Sequence, residues 1–424
     1  MTAIRNGTSG EHPRLFDMRS VRTLLWVLGS ISVASTLARV VYIAVSEYEV
    51  DLQVYLMGAH HAFSGHLYTT YLANPREPFT YPPVAALLFI PLSALSQTGS
   101  QVVWAVISVG VLIAFLVISL GAIRPDWRRK DVLLWSLVLT FPSAALNPIA
   151  MTFSFGQINL LLALLVVADL TGTCSIAGRE VPRGVMTGIA AALKVTPLIF
   201  VLFLFVTRQI RAGCTALGVF VACGIGMTVI APSESWSYWT RYIFDAHRVG
   251  GVVFISNQSL RSALVRFSHG HAPESLIVAA ILFAGAAGLW VAVWAYRTSS
   301  VMLGVLVCAV TGLIVSPITW SHHLVWIVPV VLWLSLADDR PSFGRCWAAL
   351  AVVWFWYGAI WHTPHGNGIE FRDSFAQMLM GSSYTIAMVL FVIGVAAMLA
   401  KRHRVPNRES RMSGKARTLS RGRA

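Results

Sequence analysis

Carboxylates are scarce in this chain, with only 18 Asp and Glu among 424 residues, and charged residues of both signs make up just 12%. Soluble domains of this size carry about twice that fraction, roughly 25%, so a water-soluble globular protein is excluded. Cysteine is equally sparse. Cys174, Cys214, Cys223, Cys308 and Cys346 stand far apart without metal-ligand spacing, mostly inside apolar runs, so packing is expected rather than a disulfide framework. There is no P-loop, no dinucleotide fingerprint, no G-x-S-x-G and no H-E-x-x-H, which removes the common soluble-enzyme chemistries. No inverted repeat of the secondary-transporter kind and no low-complexity segment before the C-terminal tail is visible.

What is present is apolar: 56% of the residues are hydrophobic. The runs fall near 22–45, 82–97, 101–123, 132–146, 157–171, 184–207, 212–231, 275–296, 301–315, 322–337, 345–361 and 379–399, so the fold class is all-α, a polytopic membrane protein of about twelve transmembrane helices. Residues 22–399 read as one membrane domain between a basic N-terminus (1–21) and a basic, disordered tail (400–424). The first run is read as an uncleaved signal.

The formal charge of +14 is not a nucleic-acid footprint, because its largest block is the tail that begins at Lys401. Together with Arg5, Arg14, Arg19 and Arg22, that block places both termini in the cytoplasm of a multi-pass plasma-membrane protein. Arg124-Pro-Asp-Trp-Arg-Arg-Lys-Asp131 breaks simple alternation. The conflict is removed if 82–97 is re-entrant and a second helix breaks around Lys194-Val195-Thr196-Pro197. On this map residues 46–81, 232–274, 316–323 and 362–378 face outward, with ten of the twelve histidines, so a site is expected on the extracytoplasmic side. Trp236, Trp239, Trp320 and Trp361 also suit an interfacial aromatic belt.

Asp51 follows the first run directly. Leu52, Tyr55, Leu56, Ala59 and Phe63 recur at helical spacing, predicting a short amphipathic helix over 52–64 at the interface. Asp51 would then cap that helix or serve as a general base, and the two roles are compatible. Pro78-Phe-Thr-Tyr-Pro-Pro83 reads as a rigid lead-in to a helix. Gln157 and Asn159 sit at the mouth of an apolar helix, as caps or as readers of sugar hydroxyls. Lys194 interrupts a long apolar run, which marks a functional site or a snorkelling side chain; a phosphate would compensate it. Arg261 and Arg266, after Asn257 and Gln258, oppose the positive-inside trend, as an anionic headgroup would require. His322 and His323 open another apolar helix, where a pair can bind phosphate or move a proton. A metal is not expected, since no i, i+4 His/carboxylate pattern accompanies them.

Asp51-Leu52-x-Val54-Tyr55, Phe79-Thr-Tyr-Pro-Pro83, Phe155-Gly-Gln-Ile-Asn159, Lys194-x-Thr196-Pro197, Asn257-Gln-Ser259 and Ser316-Pro317-x-x-Trp320-x-His322-His323 occur in this order. As an ordered set they resemble glycosyltransferase family 87 of the GT-C class, most closely the mycobacterial polyprenol-phosphate-mannose-dependent α-1,2-mannosyltransferases. The resemblance covers about residues 22 to 400. It implies transfer of mannose from a polyprenyl phosphate carrier to a phosphatidylinositol mannoside or a mannan acceptor, without a cofactor. Asp51 matches the catalytic acid of the first outward loop, although the paired Asp-x-Asp of many GT-C enzymes is missing. The resulting expectation is an inverting transfer with Asp51 as base. Lys194, Arg261, His322 and His323 would hold the donor phosphate, and Gln157, Asn159, Asn257, Gln258, Tyr55, Tyr81 and Trp320 would bind sugar or acceptor. Branching of lipomannan or lipoarabinomannan, polyprenyl-dependent arabinofuranosyl transfer, and lipid-linked sugar transport or flipping are the alternatives.

Overall fold

The computed structural model describes residues 18–172, 175–176 and 178–404. Cys174 and the basic stretches 1–17 and 405–424 lie outside the described residues. Eighteen α-helices lie among the described residues. They are α1 (Met18–Ser46), α2 (Val50–His60), α3 (Pro83–Ser93), α4 (Gln97–Ile123), α5 (Arg129–Ala144), α6 (Asn147–Phe155), α7 (Asn159–Leu170), α8 (Val185–Leu193) and α9 (Leu198–Val206). The second half holds α10 (Ile210–Ile230), α11 (Pro232–Thr240), α12 (Leu260–Phe267), α13 (Glu274–Thr298), α14 (Val301–Val315), α15 (Ile327–Leu336), α16 (Gly344–Tyr357), α17 (Phe375–Gly381) and α18 (Ser383–Arg404). Among the described residues the one β-ladder pairs Ser175–Ile176 with Arg179–Glu180.

Each of the twelve apolar runs contains helix, yet among the described residues five helices are long and apolar enough to cross a membrane: α1 from Ser20, α4, α10, α13 and α18. A sixth span results if α5 and α6, bent by 80° at their junction, are counted as one. The protein is therefore an all-α, helical membrane protein, and by length alone it falls short of twelve spans. Short helices account for the difference. α3, with 11 residues, reaches about 16 Å at 1.5 Å per residue, whereas the hydrocarbon core is about 30 Å thick. The 184–207 run splits into α8 and α9 because Lys194 adopts extended backbone (φ −151°, ψ 131°) and Pro197 starts the next helix. Irregular backbone of this kind survives at depth only where protein or a water-filled cavity meets its polar groups.

Apolar faces drive the packing. α1 lies along α5 and α4, and α13 runs along α14 with α18 beside both. The lipid-facing side stays apolar: Leu282, Phe283, Ile225 and Val229 are exposed, which a bilayer tolerates and water does not. The four described cysteines are free.

The helix after Asp51 differs from the sequence expectation in two respects. It is not an interfacial amphipathic helix, because Leu52, Gln53, Val54, Tyr55, Leu56, Gly58 and Ala59 are all buried. The Tyr55 ring stacks on Phe89 of α3 at 4.4 Å, and Phe79 fills the space that a side chain at Gly58 would need. Asp51 is not the cap either. Glu49 occupies that position without a side-chain cap bond, and the Asp51 carboxylate in the first turn points to a partner 106 residues away.

Candidate active site

The break between α6 and α7 determines where that partner sits. Gly156 ends α6 in the left-handed conformation (φ 68°), which turns the chain so that Gln157 is presented toward α2. A Cβ at Gly156 would lie 2.6 Å from Leu52 Cβ and 2.7 Å from Glu49 Oε2. Left-handed backbone costs an L-residue about 1–2 kcal/mol before any clash. Gly156→Ala is accordingly expected to lower the melting temperature of the purified protein and to displace Gln157, reducing turnover as well. Unchanged melting and turnover would show that the turn tolerates a side chain.

Gln157 is buried, and its orientation is dictated by its neighbours. The Tyr55 hydroxyl donates to Gln157 Oε1 (2.9 Å), leaving Gln157 Nε2 to donate to Asp51 Oδ2 (2.7 Å) and to the Tyr81 hydroxyl (3.3 Å). This chain of bonds holds the carboxylate in one rotamer while its other oxygen remains available. Burial above all pushes the Asp51 carboxyl up to about 6 from 3.8, offset in part by the Gln157 bond and the Lys194 charge, while repulsion from Glu77 adds to the rise. A base with that value is ionised at neutral pH yet accepts a proton more readily than an exposed Asp.

Lys194, in the extended break between α8 and α9, faces the same space. Its Nζ donates to Asn159 Oδ1 (3.0 Å) and to His323 Nε2 (3.1 Å), and it lies 5.4 Å over the Tyr81 ring. Because an ammonium only donates, His323 accepts here on Nε2. Asn159 also ties this end to the 321–326 turn by donating to the His322 carbonyl (3.1 Å). The His322 side chain is buried beside Phe155 and His323, and neither of its ring nitrogens has a hydrogen-bond partner among the described residues.

These groups line one cavity of about 690 Å³, bounded by Asp51, Tyr81, Gln157, Lys194, Trp320, His322 and His323 at one end. An apolar slot opens from it between α9, α13 and α14, with Leu202, Leu282, Ala286, Leu289 and Val315 in its walls. The remaining wall carries Glu77, Tyr238, Tyr242, Asp245 and Arg248, which the sequence patterns do not single out. Tyr55 and Asn159 stand one layer behind the cavity, holding Gln157 and Lys194.

Three expected residues are elsewhere. Arg261 pairs with Glu274, Nη1 to Oε1 at 2.5 Å and Nη2 to Oε2 at 2.9 Å, and does not line the cavity. Its charge is answered by a neighbouring carboxylate. Asn257 and Gln258 are fully buried. Asn257 Oδ1 accepts from the Thr319 and Ser259 amides, and Gln258 Nε2 donates to the Ile255 and Gly381 carbonyls. Both amides stitch the 316–320 segment and the start of α18 to α12, which leaves neither free to read a sugar. Arg266 is likewise a buried structural donor, to the Asn257 carbonyl and Ser382. Among the described residues no three His, Cys, Asp or Glu side chains are grouped as a metal site.

The Asp51 value makes a pH dependence expected. Below about pH 6 the carboxyl is protonated, so a reaction in which Asp51 takes a proton is expected to lose about tenfold in kcat/KM per pH unit on the acid side and to level above it. A pH profile of the purified protein measures this; a flat profile from pH 5 to 8 would remove Asp51 as the base.

Residues 79–317 match the model of glycosyltransferase family 87. The chain is 32% identical over 409 residues to a Mycobacterium tuberculosis polyprenol-phosphate-mannose-dependent alpha-(1-2)-phosphatidylinositol mannoside mannosyltransferase, covering 91% of this chain and 92% of the relative. The Mycolicibacterium smegmatis protein of the same name is 30% identical, with 91% and 90% covered. A Mycobacterium tuberculosis polyprenol-phosphate-mannose-dependent alpha-(1-2)-phosphatidylinositol pentamannoside mannosyltransferase is 32% identical over 72% of this chain and 71% of its own. No solved structure matches.

Proposed function

The chain belongs to glycosyltransferase family 87, and we propose that it is an inverting mannosyltransferase moving mannose from polyprenyl-phosphate-mannose to a phosphatidylinositol mannoside in an α-1,2 linkage. The names of its relatives support this donor and acceptor. In this reading the chain folds as a GT-C type domain over 22–399 in the plasma membrane, its twelve apolar segments including broken and re-entrant ones. Both termini are cytoplasmic and the cavity opens to the extracytoplasmic side.

The observation that carries the reading is the pairing, in one cavity, of a carboxylate held by Gln157 with a cation held by Asn159 and His323. An acceptor hydroxyl loses its proton to Asp51 as its oxygen attacks the anomeric carbon. The bond from that carbon to the phosphate oxygen breaks, and polyprenyl phosphate leaves with the electron pair. Attack from the face opposite the β-linked phosphate produces the α linkage. Lys194 stabilises the charge that grows on the departing phosphate, with His322 and His323 beside it, and such preorganised charge is worth most in a site shielded from water. The apolar slot takes the polyprenyl chain, and the Tyr81 and Trp320 rings flank the sugar.

Transfer by the purified protein tests this. Radiolabelled polyprenyl-phosphate-mannose and a phosphatidylinositol mannoside in detergent are expected to give a lipid with one more α-1,2-linked mannose. Vectorial movement of the donor in proteoliposomes without any new glycosidic bond would instead mean a transporter, and preference for an arabinosyl carrier a different transferase.

A further inference from the structure

The cavity lining carries charge of both signs. Besides Lys194 and Arg248 it presents two carboxylates, Glu77 and Asp245, for which no side-chain hydrogen bond or ion pair is found among the described residues. Tyr238 of α11, only 3% exposed, lines the same cavity, and no hydrogen bond of its hydroxyl is found among the described residues. The hydroxyl atom itself is not sealed in the interior, so it is open to a bond from a ligand or water in the cavity. Tyr242 completes the wall, its ring stacked on Tyr68 at 5.0 Å and covered by the Arg248 guanidinium at 4.4 Å.

The wall is built rather than incidental. Arg248 Nη2 donates to the Tyr68 carbonyl (2.7 Å) and Nη1 to the Tyr71 hydroxyl (3.2 Å), and the Leu67 amide donates to Glu234 (3.4 Å). These bonds clamp the 232–250 segment onto the 67–78 loop, so that groups from two distant parts of the chain face one space. Arg248 gives Nη1 and Nη2 to the clamp, while its buried Nε has no hydrogen-bond partner among the described residues. The two carboxylates outnumber that one guanidinium on this wall, so a phosphate is better placed at Lys194. They accept hydrogen bonds from neutral hydroxyls, and tyrosine rings supply the flat apolar faces on which a sugar ring rests.

We propose that this wall is the acceptor subsite, in which Glu77, Tyr238 and Asp245 bind the hydroxyls of the acceptor's terminal, uncharged mannose and turn one hydroxyl toward Asp51. The assignment rests on the transferase reading for the identity of the sugar, but not for its class, a neutral polyol on a carboxylate and tyrosine wall. Glu77 and Asp51 line the same cavity, and Tyr81, four residues after Glu77, bonds the Gln157 amide that holds Asp51.

Binding of octyl α-mannoside, measured calorimetrically on the full-length protein in detergent, tests the subsite without turnover. The dissociation constant is expected to rise about fivefold or more in each of Tyr238→Phe, Glu77→Gln and Asp245→Asn, in line with one lost hydrogen bond apiece. The remote Arg261→Gln, whose side chain lies outside the cavity, is expected to stay within about twofold of wild type. Tyr238→Phe keeps the ring and its packing, so a loss there reports the hydroxyl and not a folding defect. No binding to wild type, or equal binding to all variants, would overturn the subsite. A wild type that binds the mannoside yet transfers no mannose would leave the subsite standing and overturn the transferase reading.

Discussion

Asp51→Asn is expected to lower kcat/KM for mannosyl transfer by about 10²- to 10⁴-fold, the range a positioned general base contributes. The substitution is nearly isosteric, and Asn can still accept the Gln157 hydrogen bond now 2.7 Å long, so the local geometry survives. Stability is expected to move the other way. The folded protein holds a proton on Asp51 up to about pH 6, while the unfolded chain releases it near 3.8. Between those values the native state binds more protons, so stability falls as pH rises through the window, and the ionised carboxylate disfavours the fold at neutral pH. Asparagine removes that cost. Transfer kinetics and a thermal melt at about pH 7.5 together separate the roles: a catalytic Asp51 gives an inactive protein no less stable than wild type, whereas a structural one gives a destabilised protein in proportion to its lost activity. Near-normal turnover would reject the base assignment.

Lys194→Met carries the second large effect. Removing one preorganised charge donor from a developing anion typically costs about 10²- to 10³-fold in kcat, and a similar loss is expected here. Inhibition by the product polyprenyl phosphate is expected to weaken as well, because the same cation holds the product. Lys194→Arg is not expected to restore activity, since a planar guanidinium cannot reproduce both the 3.0 Å bond to Asn159 and the 3.1 Å contact with His323 from the same backbone break. Single-turnover measurements with pre-bound donor report the chemical step alone. If Lys194→Met leaves that step and product inhibition intact, the phosphate lies elsewhere in the cavity.

Some of this site is legible in the sequence because its signals are local. A lysine inside an apolar run with a proline three residues on marks the break at Lys194–Pro197, and Gln157 and Asn159 mark the mouth of an apolar helix. The juxtapositions are not local. Asp51 looks like a cap because spacing shows only the amides of its own helix, whereas Gln157, 106 residues on, supplies the bond it makes. Arg261 looks like an unpaired outward charge until Glu274 is brought beside it by the start of α13. Asn257 and Gln258 look like sugar readers since an amide pair says nothing of which carbonyls will meet it. Glu77 and Asp245 lie in polar loops and Tyr238 in the short helix α11, none of them marked by a motif; the clamp from Arg248 to the 67–78 loop gathers them. The bend between α5 and α6 is hidden for a related reason. Asn147-Pro148 reads as the end of an apolar run, whereas Pro148 instead opens a new helix at 80° to the first.

A structure of the wild-type protein with polyprenyl phosphate and the elongated acceptor bound tests the account most directly. The phosphate is expected within hydrogen-bond distance of Lys194 Nζ, the isoprenoid in the slot between α9, α13 and α14, and the newly bonded acceptor oxygen within about 3 Å of an Asp51 carboxylate oxygen. A phosphate bound away from Lys194, with the glycosidic oxygen out of reach of Asp51, would contradict it.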